Sequence, residues 1–156
     1  VTLADSARYA LHDLVHRYAA GVDDRHFDAV AALFTSDAEL SLPQPPDTVE
    51  PVHRHHGHRA IRDAISAVAT VARTEHAIVG EVYDAGPRAD TARGRIACVA
   101  HHWTQRADDF VDVAWHVRYD DDYLLTGHGW RIHRRALTIN AIETRPVRRV
   151  RVDGHQ

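Results

Sequence analysis

"TEHAIVGEVYDAGPRADTARGRIACVAHHWTQ", residues 74–105, decides the fold. Before it, apolar residues recur at helical spacing. Within it, two extended runs, 75–84 and 91–105, flank the turn DAGPRAD, where Gly86 and Pro87 stop regular structure. Two further runs, 109–120 and 129–142, follow the short connections RADD and LLTGHG. Long consecutive strands joined by short turns predict an antiparallel meander. His76 stands at the mouth of the first strand. Taken alone, it fits a hydrogen-bonded core histidine as well as a reagent.

Working outward, Ala7, Ala10, Leu11, Leu14, Val15, Tyr18, Ala19 and Val22 predict an amphipathic helix over 4–22, with Thr2 and Asp5 as a capping box. Phe27, Val30, Ala31, Leu33 and Phe34 predict a shorter helix over 26–35. Ala38, Leu40 and Leu42 alternate as a first strand. PQPPDTVEP breaks the chain, and Ile61, Ile65, Val68 and Ala72 predict a helix over 57–72. Three N-terminal helices and a run of long strands give an α+β fold. Its helices cover one face of a cone-like, curved antiparallel sheet whose mouth makes a small-molecule pocket. Residues 1–156 read as one domain, with 145–156 as a tail.

The formal charge of −3 is too small to argue for nucleic acid or an anionic membrane. All 19 basic residues are Arg, so Schiff-base lysine chemistry is excluded. The single Cys98 allows no internal disulfide and sits in an apolar run, as a packed thiol does. No apolar stretch approaches ~20 residues, and no signal-peptide pattern is visible, so a cytoplasmic protein is expected. HRHHGH (53–58) falls in an expected loop without fixed tetrahedral spacing and is not assigned a metal. RPVRRVRV (145–152) reads as a solvated strand or tail.

Four segments resemble the SnoaL-like branch of the NTF2-like superfamily: RYAAGVDDRHFDAVAALFTSDAEL (17–40), GHRAIRDAI (57–65), TEHAIVG (74–80) and YDDDYLLTGHGWRIHRRAL (119–137). Within it the chain is most similar to the scytalone dehydratase and bile-acid 7α-dehydratase group. That resemblance implies an Asp at the end of the first helix, matched by Asp23 ahead of HFD, and a His opening a strand, matched by His76. It also implies a tyrosine five residues before the Asp, matched by Tyr18, and a second histidine 25 residues after His76, which lands on His101. Where scytalone dehydratase carries an asparagine, this chain has Trp115, a departure that weakens any claim to the same substrate.

The chemistry fits a cofactor-independent lyase or isomerase of dehydratase or cyclase type. His76 would act as acid/base and Asp23 as its partner, with Tyr18 and His101 contacting a substrate oxygen. Phe27, His102, Trp103, Trp115 and Asn140 are assigned to the pocket lining. Each residue also has a plainer reading: Tyr18 as core packing, Asp23 as a helix-end turn residue. His101 and His102 compete. Arg93 and Arg95 share parity with His101, while Ile96, Cys98 and Ala100 share parity with His102, so alternation sends His102 inward. The resemblance favours His101, which a β-bulge between 95 and 101 would reconcile. His101 is adopted, with His102 as its substitute. The expected ligand is a small cyclic, largely apolar molecule such as a polyketide, steroid or terpenoid. No cofactor, nucleic acid or membrane partner is expected, and the resemblance implies a homodimer or homotrimer. A non-catalytic binding domain and the small β-type subunit of a ring-hydroxylating dioxygenase stay open as alternatives.

Overall fold

A computed structural model describes residues 2–152. Helix α1 (Asp5–Asp23) buries Leu11, Leu14, Val15, Tyr18, Ala19 and Val22, the stripe its periodicity predicts. The predicted capping box does not form: Ala4 is the N-cap and makes no side-chain bond. That omission costs about 1 kcal/mol. Each large apolar side chain buried contributes about 1.5–3 kcal/mol, so packing holds this helix.

The other end of α1 is closely specified. Arg25 takes φ 62°. Its N–H donates to Val22 O at 3.2 Å, and the His26 N–H donates to Gly21 O at 2.9 Å. These two bonds form a Schellman cap, here on a non-glycine residue. The left-handed conformation costs about 1–2 kcal/mol. The Arg25 guanidinium offsets it by donating to Thr74 Oγ1 at 2.9 Å and Val71 O at 3.3 Å. Asp23 is thereby fixed as the last helical residue, close to the start of the meander. Helix α2 (Phe27–Ala31) is shorter than the expected 26–35, because the chain already enters strand β1 (Phe34–Leu42). It packs tightly on α1: a Cβ on Gly21 would lie 2.6 Å from Val30 Cγ2.

Strand β2 (His53–His56) turns the expected histidine loop into an exposed edge strand. Helix α3 (Gly57–Ile65) gives way to a 3₁₀ turn, Ser66–Thr70, so the expected 57–72 helix breaks at Ile65. Then come β3 (Arg73–Ala85), β4 (Thr91–Arg106), β5 (Asp109–Thr126) and β6 (Gly129–Val147). The curved, unclosed six-stranded sheet has the order β2-β1-β6-β5-β4-β3. The predicted antiparallel meander is its larger part. One pairing differs from the expectation: β1 joins β6 in parallel, with Leu40 opposite Arg135. The core lies between α1, α3 and the inner sheet face, around Val15, Val22, Ile61, Ile96, Tyr119 and Ile132.

Bulges set which side chains face inward. Strand β4 pairs with β5 without interruption, so the bulge proposed between 95 and 101 is absent. A bulge occurs instead on β3: Ile78 pairs with Cys98 and Gly80 with Ala97, leaving Val79 extra. His76 and Ile78 therefore share the inner face with Glu81 and Tyr83, while Val79 and Val82 are exposed. Val82 does not continue the apolar wall below His76, as strict parity from His76 would have it. On β6, His133 and Asn140 are the extra residues of two further bulges.

Strand β6 runs to Val147, so the first part of the expected tail is sheet; residues 153–156 of that tail lie outside the described residues. Among the described residues no helix is long and apolar enough to cross a membrane.

Candidate functional site

A cavity of about 200 Å³ opens between α1, α3 and the sheet. Tyr18 and Val22 enter from α1, Ile65 and Val68 from α3 and its 3₁₀ extension, and Leu42 from β1. The sheet supplies His76, Ala100, His102, Trp115, Val117, Tyr119 and Leu137. The walls are apolar; the two imidazoles and two phenols provide the polar chemistry.

His76 is held at two points by one carboxylate. Its Nδ1 lies 2.7 Å from Asp23 Oδ1, and its backbone N–H donates to Asp23 Oδ2 at 2.8 Å. Thr74 Oγ1 donates to Asp23 Oδ1 at 2.9 Å. Burial raises the Asp23 pKa, but the bonds and charge of His76 and the Thr74 hydroxyl outweigh it, leaving the carboxyl below its usual range. An ionised carboxylate only accepts, so Nδ1 of His76 carries the proton. The ring lines the cavity, and Nε2 is the nitrogen available to a ligand.

His102 is the second cavity imidazole. Its ring centroid is 6.3 Å from that of His76 and 4.3 Å from that of Trp115. Nδ1 donates to Val113 O at 2.9 Å. Burial lowers the His102 pKa, the bond to Val113 opposes this, and neighbouring His76 lowers it further. His102 is thus a neutral ring whose Nε2 accepts a hydrogen bond. Alternation along β4 placed it correctly. His101 faces the other way: its Nδ1 lies 2.7 Å from Asp112 Oδ2 and its ring stacks on Trp103 with centroids 5.6 Å apart. Without a bulge in β4, neither His101 nor Trp103 reaches the cavity. Trp103 lines an outer groove with Val147 and Val150.

The remaining expected lining residues divide. Trp115 lines the cavity. Asn140 is turned out to solvent by its bulge, and Phe27 packs half-buried against the core, outside the cavity lining. Cys98 is buried, and burial pushes its thiol up to about 12, consistent with packing rather than reactivity.

Tyr18 sits where the resemblance implies, and beneath it lies a group that sequence reading missed. Arg135 is fully buried, with its guanidinium carbon 4.2 Å from the ring centroids of both Tyr18 and Tyr119. It grips Asp121 bidentately, Nε to Oδ1 at 2.8 Å and Nη2 to Oδ2 at 2.6 Å, and Tyr123 donates to Asp121 Oδ2 at 2.5 Å. Arg135 Nη1 is buried without a hydrogen-bond partner among the described residues. Burial raises the pKa of Tyr18 and of Tyr119, and the Arg135 charge opposes it in both; each is a neutral phenol able to donate to an oxygen. A signal for the pair was present: Asp121 falls on the parity of Tyr119 and Tyr123, and Arg135 on that of Leu137 and Ile139.

Solved structures of similar fold cover nearly the whole chain. A candidate aromatic ring hydroxylase from Novosphingobium aromaticivorans is 24% identical, with a TM-score of 0.76 over 93% of this chain and 96% of its own. A candidate scytalone dehydratase from N. aromaticivorans DSM 12444 is 21% identical, with a TM-score of 0.74 over 96% and 94%. Hexachlorocyclohexane dehydrochlorinase LinA-type3 from Novosphingobium barchaimii LL02 is 18% identical, with a TM-score of 0.71 over 96% of both chains. No curated protein matches at a significant level. The profile of the SnoaL-like domain matches residues 5–136. The chain therefore belongs to the SnoaL-like family, with the α+β architecture of NTF2-like proteins.

Proposed function

We propose that this protein is a cofactor-independent lyase or isomerase that moves a proton on a small cyclic substrate. One observation carries the reading: an imidazole lining an apolar cavity is bound through Nδ1 to an ionised carboxylate, which leaves Nε2 as a base. In an elimination, His76 Nε2 takes a proton from carbon and a double bond forms as the neighbouring C–O bond breaks. The imidazolium returns that proton to the departing hydroxyl, releasing water. Asp23 stabilises the transient cation and fixes the ring. Tyr18 donates to the oxygen on which charge develops. His102 accepts from a substrate hydroxyl, the part that the resemblance gave to His101.

At about 200 Å³ the cavity is smaller than the usual range of about 300–1,000 Å³ for ligand sites. One- or two-ring polyketide- or terpenoid-like molecules suit it better than a steroid. Self-association as a dimer or trimer, which the resemblance implies, belongs to the same reading and is read by sedimentation.

The test is a panel of mono- and bicyclic β-hydroxy ketones, followed by the ultraviolet absorbance of the enone product. Turnover by the wild type that falls about 10²–10⁴-fold in His76→Ala supports the reading. Full rate in His76→Ala and Asp23→Asn overturns it. Tight binding without turnover that survives both substitutions identifies a binding domain instead.

A further inference from the structure

Away from the cavity, α1 and β3 bring together three side chains with metal-ligand chemistry. His12 and His16 lie one turn apart on the same face of α1, and their ring centroids are 4.3 Å apart. Both reach Glu81 on β3: His12 Nδ1 is 3.0 Å from Oε2, and His16 Nε2 is 2.7 Å from Oε1. The ligand atoms of the three residues all lie within 4.8 Å of one another. We propose that His12, His16 and Glu81 form a binding site for a divalent transition metal of the zinc class.

Four features support this. Two histidines at i and i+4 on a helix present imidazole nitrogens to one point in space, the spacing used by helical zinc sites. Ligand atoms about 2.0–2.2 Å from a zinc ion lie about 3–4 Å apart, so small side-chain rotations close the site. Glu81 is held from behind by the Tyr83 hydroxyl, which donates to Oε2 at 2.7 Å, the outer support that ligating carboxylates require. Two nitrogens and one oxygen favour zinc or its neighbours over magnesium or calcium. Three protein ligands leave a coordination position for water. Glu81 is largely shielded while the two histidines are exposed, so an ion has access from solvent.

Such an ion would link α1 to β3, the elements that present Asp23 and His76. The proposal is independent of catalysis, and its test reads binding alone. Chelator-treated protein is titrated with Zn²⁺ by calorimetry at neutral pH, and thermal unfolding is followed with and without the ion. The expected result is one Zn²⁺ per chain, weakened at least about tenfold in His12→Ala and in His16→Ala. The Zn²⁺-dependent rise in Tm should also be lost in both. Each replaced histidine is exposed, so both variants should fold. A variant with His53, His55 and His56 all changed to Gln guards against the other histidine cluster and should bind as the wild type does. Affinity unchanged in both single variants, binding abolished in the triple variant, or no saturable equivalent of Zn²⁺ overturns the proposal.

Discussion

Asp23→Asn probes the bond on which the candidate site depends. The substitution keeps the side chain's shape but removes its charge and one of its two acceptor oxygens. Three donors converge on the carboxylate: the His76 ring and the Thr74 hydroxyl on Oδ1, and the His76 backbone N–H on Oδ2. An amide can serve only one side. If its NH₂ faces the backbone N–H, a part-buried donor meets a donor, at about 1–3 kcal/mol. If the NH₂ faces the ring, His76 must move its proton to Nε2 and offers the cavity an N–H in place of a lone pair.

Asp23→Asn is therefore expected to lose about 1–3 kcal/mol at pH 7 and about 10²–10⁴-fold in turnover. The pH dependence follows from the lowered carboxyl. Its pKa in the folded state is below the unfolded value of about 3.9, so the stabilisation is complete above about pH 4. It is lost as pH falls through the folded value, and wild type and variant should converge there. Urea unfolding followed by tryptophan fluorescence from pH 7 to pH 3 measures the convergence. Nitrogen NMR of the His76 ring reports which atom carries the proton. A variant as stable as the wild type at pH 7, with Nδ1 still protonated, would refute the reasoning.

Three other outcomes follow from the packing. His102→Ala should slow turnover by about tenfold or more while His101→Ala leaves it unchanged, since only His102 lines the cavity; equal losses would contradict the assigned faces. Gly21→Ala forces a Cβ against Val30 and should cost about 1–3 kcal/mol, seen by calorimetry as a Tm lower by several degrees. Arg135→Met strands the buried Asp121 carboxylate and should cost about 3–5 kcal/mol in urea unfolding, much of it recovered when Asp121→Leu is added.

What the sequence revealed depended on the range over which each feature is determined. Helix α1 and the four-strand meander rest on local periodicity, and both were legible. The Asp23–His76 pair was legible through the family resemblance, because helical geometry alone put Asp23 only on the flank of the face carrying Tyr18. The Schellman cap at Arg25 explains how it reaches the strand, and no glycine advertised that cap. His102 was legible from the alternation of Ile96, Cys98 and Ala100; spacing borrowed from relatives pointed to His101 instead. The bulge at Val79 was hidden because Ile78, Val79 and Val82 are interchangeable apolar residues on paper. The Arg135–Asp121 pair left only the signal of parity with apolar neighbours, because two charges are buried stably only when each supplies the other's partner, and these lie on different strands.

The bulge at Val79 has a mechanical consequence. Residues 76 and 81 have opposite parity, and an uninterrupted strand would turn one of them away from α1. With one residue looped out, β3 is moored to the antiparallel helix at both ends: His76 to Asp23, and Glu81 to His16 and His12, with the Arg8 guanidinium reaching Tyr83 O beyond. At about 1.5 Å per helical residue and about 3.3 Å per strand residue, the two segments span comparable lengths. A helix tethered at two stations cannot swivel about either one, so the His76 imidazole inherits its aim from a contact five residues away. Gain or loss of a single residue between 77 and 80 would cast off one mooring, which confines tolerated length changes in this strand to its outer ends.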